Sequence, residues 1–477
     1  MKSAERCVYI LFMCLLLATA LKGRAEEKPI RINSRRELFV DRELVDSMKH
    51  VEFRLHAPQP LPLAKSPLPI SYTTVIKDGD RYRAYYRDYL PGYSGSLKSG
   101  NPGEITCYAE SDNGHEWTFP DLDVVDVKSR RGRNVVLHEP PFCHNFTPFL
   151  DTRPGVAADQ KYKGLAGLHG TGGQFAFVSA DGIHWRKLND KPVITYKPAI
   201  KGDFGFDSQN IAFWSEAEGK YVAYFRTYHT KHGLLRTINR TTSTDFIHWS
   251  KSVPMQPNLP GEHLYTSQIQ PYFRAPHIYI ALPTRFAYNQ LKGKKVKGNI
   301  GSTDILFMAS RAGSNHFDRL FKKALIRPGL DKNAWNNRAN YTALNVVPTG
   351  PAELSIYHKN KHRYVLRTDG FVSVHAGYKT GELLTRPLIF KGSKLEVNYS
   401  TSIAGSLQVE IRDAAGKPVP GFRLRDCPPM IGDSIQAFLK WKAGPDLSAL
   451  AGKPVRLRFV LKDADLYSLC FYEDNKE

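Results

Sequence analysis

The sequence predicts an all-β protein, a five-bladed β-propeller followed by a C-terminal antiparallel β-sandwich. Three observations lead there. A turn motif recurs: Ser111-Asp112-Asn113-Gly114-His115-Glu116-Trp117, Ser179-Ala180-Asp181-Gly182-Ile183-His184-Trp185 and Ser243-Thr244-Asp245-Phe246-Ile247-His248-Trp249, with a decayed copy over Ser310–Phe317. Its closing aromatics repeat at a near-constant period of about 64–68 residues, the mark of an array of like units. Between copies lie short apolar or aromatic runs separated by turns, and no long stretch of helical periodicity competes.

The elements follow in order. In one period Asn210–Trp214 is a short apolar run, Glu216–Lys220 a turn, Tyr221–Arg226 an aromatic strand and Leu234–Thr241 a further strand before the motif. The same order starts from Ser71 and from Tyr265. Four strands per unit, repeated radially, make a propeller. In the motif the Ser and Asp side chains brace a tight turn, Gly supplies positive φ and Trp packs between blades. Asp112, Asp181 and Asp245 therefore read as turn formers. A fifth unit spans about Asn337–Thr368, and the strand at Glu37–Asp41 is expected to complete it, leaving no free edge. From about residue 380 the period is lost. Leu395–Tyr399, Leu407–Ile411 and Val455–Leu461 largely alternate, as in an antiparallel sandwich. The expected division is 1–25 signal peptide, 26–380 propeller and 381–477 sandwich.

Composition bounds the function. Hydrophobic residues make up 42% and charged residues 24% of 477, which is globular rather than disordered. Lys2 and Arg6 precede an apolar run from Val8 to Leu21, and Gly23-Arg24-Ala25 offers small residues for cleavage. This is a secretory signal, too short for a membrane span of about 20 residues. The chain is expected to be secreted or periplasmic, with no membrane span after cleavage. The net charge is +21, about +18 without the signal. Its clearest clusters are Lys128–Arg133 and Lys292–Lys297. Export and the lack of a binding motif exclude nucleic acid, leaving carbohydrate as the expected partner and an anionic glycan as the form the charge suggests. Cys107, Cys143, Cys427 and Cys470 follow the signal without zinc-type spacing. Pairing of Cys107 with Cys143 or of Cys427 with Cys470, and buried free thiols, both stay open.

The motif at its blade-sized period resembles the five-bladed β-propeller glycoside hydrolases, the invertase/levanase and arabinanase/xylosidase superfamily. Glu37-Leu38-Phe39-Val40-Asp41, Asp207-Ser208-Gln209-Asn210, Glu262-His263-Leu264-Tyr265 and Asp369-Gly370-Phe371-Val372-Ser373 are similar to an exported bacterial branch of that group. The resemblance covers about residues 35–380. It implies a funnel lined by the innermost strands, in which two carboxylates cleave a glycosidic bond in a polysaccharide or its oligosaccharides. A non-catalytic carbohydrate-binding propeller and a glycoside phosphorylase-like enzyme stay open as alternatives. No cofactor is expected and no metal motif is visible, although some members hold an axial calcium ion.

The candidate catalytic residues are Asp207, at the opening of the third inner strand, Glu262, before the fourth, and Asp41. By position Asp207 resembles a transition-state-stabilising aspartate or a base, and Glu262 a general acid. Members of the group carry an aspartate on the first inner strand, but Pro67–Ile76 contains no acid. Glu353 and His144 are further candidates for acid or base work. The candidate substrate-binding set is His144, Asn145, Gln209, His263, Tyr265, Arg338 and Glu353. Arg338 suits a carboxylate or sulfate because guanidinium binds oxyanions in a fork.

Overall fold

Among the described residues, strands joined by short 3₁₀ turns make up the regular structure, and no sheet closes on itself. A computed structural model describes residues 28–127, 134–198, 202–229, 235–255, 257–288 and 301–473. The expected signal at 1–25 and the basic runs at 128–133 and 292–297 lie outside the described residues. Among the described residues, no helix is long and apolar enough to cross a membrane. The chain forms two compact units, one of residues 38–41 and 53–373, the other of 28–37, 42–52 and 374–473.

The larger unit is a succession of antiparallel sheets. The first runs Thr74–Asp78, Arg81–Tyr89, Glu104–Ser111 and Val135–Leu137. The second runs Thr147–Leu150, Tyr162–Ala166, Phe175–Ser179 and Arg186–Lys187. In the third, Ile211–Ser215 pairs with Lys220–His229, followed by Leu235–Ser243 and Val253–Pro254. The next stretch forms two three-stranded sheets, Ile269–Tyr272 with Ala275–Ala281 and Met308–Arg311, and His263–Leu264 with Thr284–Tyr288 and Gly301–Ile305. Pro283 lies at the break between them, where it has no N–H to give a ladder. The last sheet is Val347–Gly350, Glu353–Tyr357 and Arg363–Arg367, and its fourth strand is Gln59–Pro60. The strand expected at Glu37–Asp41 does not fill that place. Gln59–Pro60 is only two residues of low hydrophobicity, so its pattern carried no strand signal.

The recurring turns do the bracing expected of them. Asp181 Oδ1 accepts from the backbone N–H of Ile183 and His184 at 2.8 and 2.9 Å, Ser179 Oγ accepts from Gly182 at 2.9 Å, and Trp185 Nε1 donates to the Gly182 carbonyl at 3.0 Å. Asp245 repeats the pattern, with Phe246 held at φ +70° where the second copy has Gly182. In the first copy the bracing residue is Asn113, not Asp112. Asn113 Oδ1 accepts from His115 and Glu116 at 2.7 and 3.0 Å, while the Asp112 side chain is 92% exposed. Each turn also leans on another sheet. Tyr85 donates to the Gly182 carbonyl at 2.9 Å, Tyr357 to that of Gly114 at 2.8 Å, and Trp185 meets Tyr85 edge to face.

At the other end of the sheets, buried amides tie the inner strands together. Asn145 Nδ2 donates to the carbonyls of Gly167, Phe206 and Ser208 at 2.6, 3.0 and 2.9 Å, and its Oδ1 accepts from Gly167 N–H at 3.0 Å. Gln209 Nε2 reaches the Tyr72 carbonyl and Thr74 Oγ1, and Gln268 Nε2 reaches Gln209 Oε1 and the Thr342 carbonyl. A parallel bridge between Thr74 and Leu344 joins the first and last sheets directly.

The smaller unit centres on two long strands, Lys394–Asp413 and Val455–Tyr472, paired antiparallel with irregularities between Asn398 and Tyr399 and between Thr401 and Ser406. Val45–Lys49 pairs with Gly381–Thr385, and Ile30–Asn33 runs parallel to Leu388–Phe390. Arg36 pairs with Glu396, and Arg456 with Asp46 at 3.2 Å, all four buried. These N-terminal strands thus belong with 374–473, a long-range pairing that local pattern does not encode. The four described cysteines are free thiols. Burial pushes Cys107 up to about 12 and Cys143 up to about 11, so neither is a ready thiolate.

Asn145→Ala should lower unfolding stability by about 2–3 kcal/mol in urea titration, because it strands several buried backbone groups without partners.

Candidate functional site

The inner ends of these strands surround a cleft of about 300 Å³ whose walls include Tyr72, Arg87, Tyr265, Arg338, Tyr341 and Lys359. Their positions follow from strand register. Arg87 and Arg226 close the runs Ala84-Tyr85-Tyr86-Arg87 and Ala223-Tyr224-Phe225-Arg226, each on the second strand of its sheet. Tyr265 follows His263–Leu264, and its backbone carbonyl accepts from Ser208 Oγ at 2.9 Å and Arg226 Nη1 at 3.1 Å.

Four of the surrounding residues hold the left-handed conformation although none is glycine: Tyr72 at φ +51°, Phe206 at +72°, Gln268 at +45° and Arg338 at +55°. Such backbone costs of order 1 kcal/mol or more apiece and persists only where neighbours over-determine it. For Tyr72, Phe206 and Gln268 the neighbours are the amide bonds above. Phe206 immediately precedes Asp207, and its carbonyl is gripped by both Asn145 and Asn210.

Asp207 stands beside the cleft with 38% of its side chain exposed. Its Oδ2 lies 2.7 Å from Arg226 Nη2 and accepts from Tyr228 Oη at 2.8 Å. Burial pushes its pKa up, but the Arg226 charge and these hydrogen bonds outweigh burial and hold it below the ordinary carboxylate value. Arg226 is 3% exposed and lies 4.9 Å from the ring centroids of both Tyr228 and Tyr265. Tyr265 Oη accepts from Arg338 Nη1 at 3.2 Å. Burial would raise the Tyr265 phenol, yet the charges of Arg226 and Arg338 bring it below its ordinary value. Tyr72 moves the opposite way, raised by burial and then by Tyr265.

His144 stands on the far side of Tyr72, edge to face at 5.8 Å. Its Nδ1 is 2.8 Å from Glu104 Oε1 and 2.9 Å from Arg87 Nη1. Glu104 is 1% exposed, so the imidazole has a buried carboxylate behind it.

The expected site residues do not all meet in one place. Asp207, His144, Tyr265 and Arg338 come together at the cleft. His263 lies nearby, its Nδ1 3.3 Å from Arg236 Nη1, with burial and Arg236 lowering its pKa. Asn145 and Gln209 are fully buried, and their amides are engaged within the protein. The remaining acids sit in ion pairs of their own. Glu262, 8% exposed, is held by Arg319 at 2.5 and 3.2 Å. Asp41 is held by Arg311 at 2.7 and 3.1 Å, and Glu353 by Arg363 at 2.6 Å with a hydrogen bond from Thr349. A carboxylate whose oxygens are taken up by a guanidinium has little left to offer a substrate.

Sequence reasoning missed Arg87, Arg226, Glu104, Tyr72, Tyr341 and Lys359. The repeated Ala-Tyr-aromatic-Arg run was a usable signal for the two arginines. An axial calcium does not fit this site, because its cations repel a divalent ion. Among the described residues no three His, Cys, Asp or Glu side chains converge on one point.

No family model matches the chain, and no curated protein matches it. Solved structures similar to it include a glycoside hydrolase family 43 arabinoxylan arabinofuranohydrolase from Bacillus subtilis, at 12% identity over 86% of this chain and 96% of that one, with a TM-score of 0.39. A family 32 β-fructofuranosidase of Bombyx mori shares 12% identity over 88% and 94%, with a TM-score of 0.41. A β-1,2-mannobiose phosphorylase from Listeria innocua shares 9% identity over 70% and 96%, also at 0.41.

Positive charge favours phenolate, so in alkaline titration followed by ultraviolet absorbance Tyr265→Phe should remove a phenol that ionises below the ordinary tyrosine value, and Arg338→Met should shift that phenol upward. Glu262→Gln should cost about 2–4 kcal/mol in urea unfolding, since it leaves Arg319 buried against a neutral partner.

Proposed function

We propose that the chain is an exported glycoside hydrolase, built as a five-bladed propeller followed by an antiparallel sandwich, that cleaves a glycosidic bond in a polysaccharide or its oligosaccharides. The observation that carries the reading is the setting of Asp207. It is a solvent-reachable carboxylate beside a tyrosine-walled cleft, clamped by Arg226 and Tyr228 and preceded by a left-handed Phe206. An ionised carboxylate there is matched to the positive charge that grows on an anomeric carbon as the bond breaks. His144, held by Glu104, is the partner that moves the proton, since a ring nitrogen can both accept and donate one. Tyr72, Tyr265 and Tyr341 supply apolar walls for sugar rings. The motif resemblance supports the same class of activity, and the N-terminal charge and hydropathy pattern supports export.

A non-catalytic carbohydrate-binding propeller is the second reading. It is favoured by the ion pairs that occupy Glu262, Asp41 and Glu353, which leave Asp207 without a second carboxylate among those expected.

Reducing-end release from a panel of plant and algal polysaccharides tests the two readings. Asp207→Asn should lower turnover at least about 10²-fold while circular dichroism and oligosaccharide binding persist. Binding without product from any glycan on the panel would select the second reading.

A further inference from the structure

The chemistry of the cleft walls narrows what the site can hold. Five cations, Arg87, Arg226, Arg236, Arg338 and Lys359, gather around the tyrosines. The two carboxylates among them are already engaged, Asp207 by Arg226 and Tyr228, and Glu104 by His144. Among the described residues, no carboxylate lines the cleft itself.

Three of the cations act on one another there. Lys359 Nζ donates to the Arg338 carbonyl at 3.0 Å and lies 5.2 Å from the Tyr341 ring centroid. Burial, then the charges of Arg338 and Arg87, lower the Lys359 pKa, so the three share one positive field. The Nε–H groups of Arg87 and Arg226 are buried and find no acceptor among the described residues. Gathering like charges and leaving donors unmet both cost free energy. A neutral sugar offers only hydroxyls to such a field, whereas an oxyanion would accept from several donors and neutralise the repulsion. Planar guanidinium beside a primary ammonium suits a carboxylate, and the three tyrosine rings suit the sugar that carries it.

We propose that the cleft takes a uronic-acid residue of a glycan, with its carboxylate held by Arg338, Lys359 and Arg87 and its ring against Tyr265 and Tyr341. The proposal rests on reading the site as a carbohydrate site and adds the substrate class. It also accounts for walls that lack a carboxylate, because an acid there would repel the ligand.

Calorimetry on the full mature chain tests it with galacturonate and glucuronate oligosaccharides, their neutral galactose and glucose counterparts, and sulfated galactose oligosaccharides. One uronate series should bind at least about tenfold tighter than its neutral counterpart at low salt, and the preference should shrink as ionic strength rises. Lys359→Met should remove most of that preference and Lys359→Arg should keep it. The comparison of ligands on the unaltered protein stands even if a variant fails to fold. Equal or tighter binding of the neutral sugars would overturn the proposal, as would tight binding confined to the sulfated series. Uronate binding without cleavage would sink the hydrolase reading and leave this one intact. Cleavage of neutral glycans without uronate preference would do the reverse.

Discussion

The buried amides at the inner ends of the sheets are the constraint on which the rest of the larger unit depends. Where inner strands from different sheets converge, their backbone groups lack a common ladder, and water cannot reach them. Asn145, Gln209, Gln268 and Gln270 each carry a donor and an acceptor on one rigid plane, so one side chain can serve groups on two or three segments. Asn145 alone reaches three carbonyls. An apolar side chain of equal size would fill the space and strand the polar atoms.

That framework makes the strained backbone beside the cleft tolerable. Phe206 is held at its carbonyl by the amides of Asn145 and Asn210, and Gln268 by its own side-chain bonds to Gln209 and Thr342. With those segments fixed, Asp207 and Tyr265 meet Arg226 without a further ordering cost. The arginine touches both, through a carboxylate contact of 2.7 Å and a carbonyl contact of 3.1 Å. One buried guanidinium therefore sets the charge state of an acid and of a phenol together. Removing it would release both at once, so effects at Asp207 and Tyr265 are not expected to add.

Legibility in the sequence followed the range of the interactions. The turn motifs were readable because Ser, Asp and Gly satisfy one another within a few residues, and Trp packs from a fixed offset. The exchange of Asp112 for Asn113 as the bracing residue was missed because the two acceptors are adjacent and either can brace a turn. The closing strand Gln59–Pro60 was invisible because it is short and gains its identity only by pairing with Tyr364 and Val365. The strands at Ile30–Asn33 and Val45–Lys49 pair with residues more than three hundred positions away, which no local period records. At the site, Asp207, His144, Tyr265 and Arg338 were legible as polar residues at strand openings. Glu104 and Lys359 were not, since a single acid or base beside a turn looks like solvated surface.

The acids that looked catalytic from sequence alone show why position is a weak guide to role. Asp41, Glu262 and Glu353 sit at or near short strands, as Asp207 does, and each meets an arginine. Exposure separates Asp207 from Glu262 and Asp41, while Glu353, 34% exposed, differs from Asp207 in lying away from the tyrosine-walled cleft. Glu262 and its Arg319 are both nearly buried, so the pair closes on itself and offers nothing to a ligand. In the Asp207 pair the arginine is buried and the acid is not. The guanidinium there acts as a fixed anchor behind a reachable carboxylate, which is the asymmetry a site needs and a structural ion pair does not. The same asymmetry applies to the total charge. An excess of +21 spread over a surface steers weakly through salt water, whereas a few cations around a tyrosine-walled cleft hold their field where a ligand must enter.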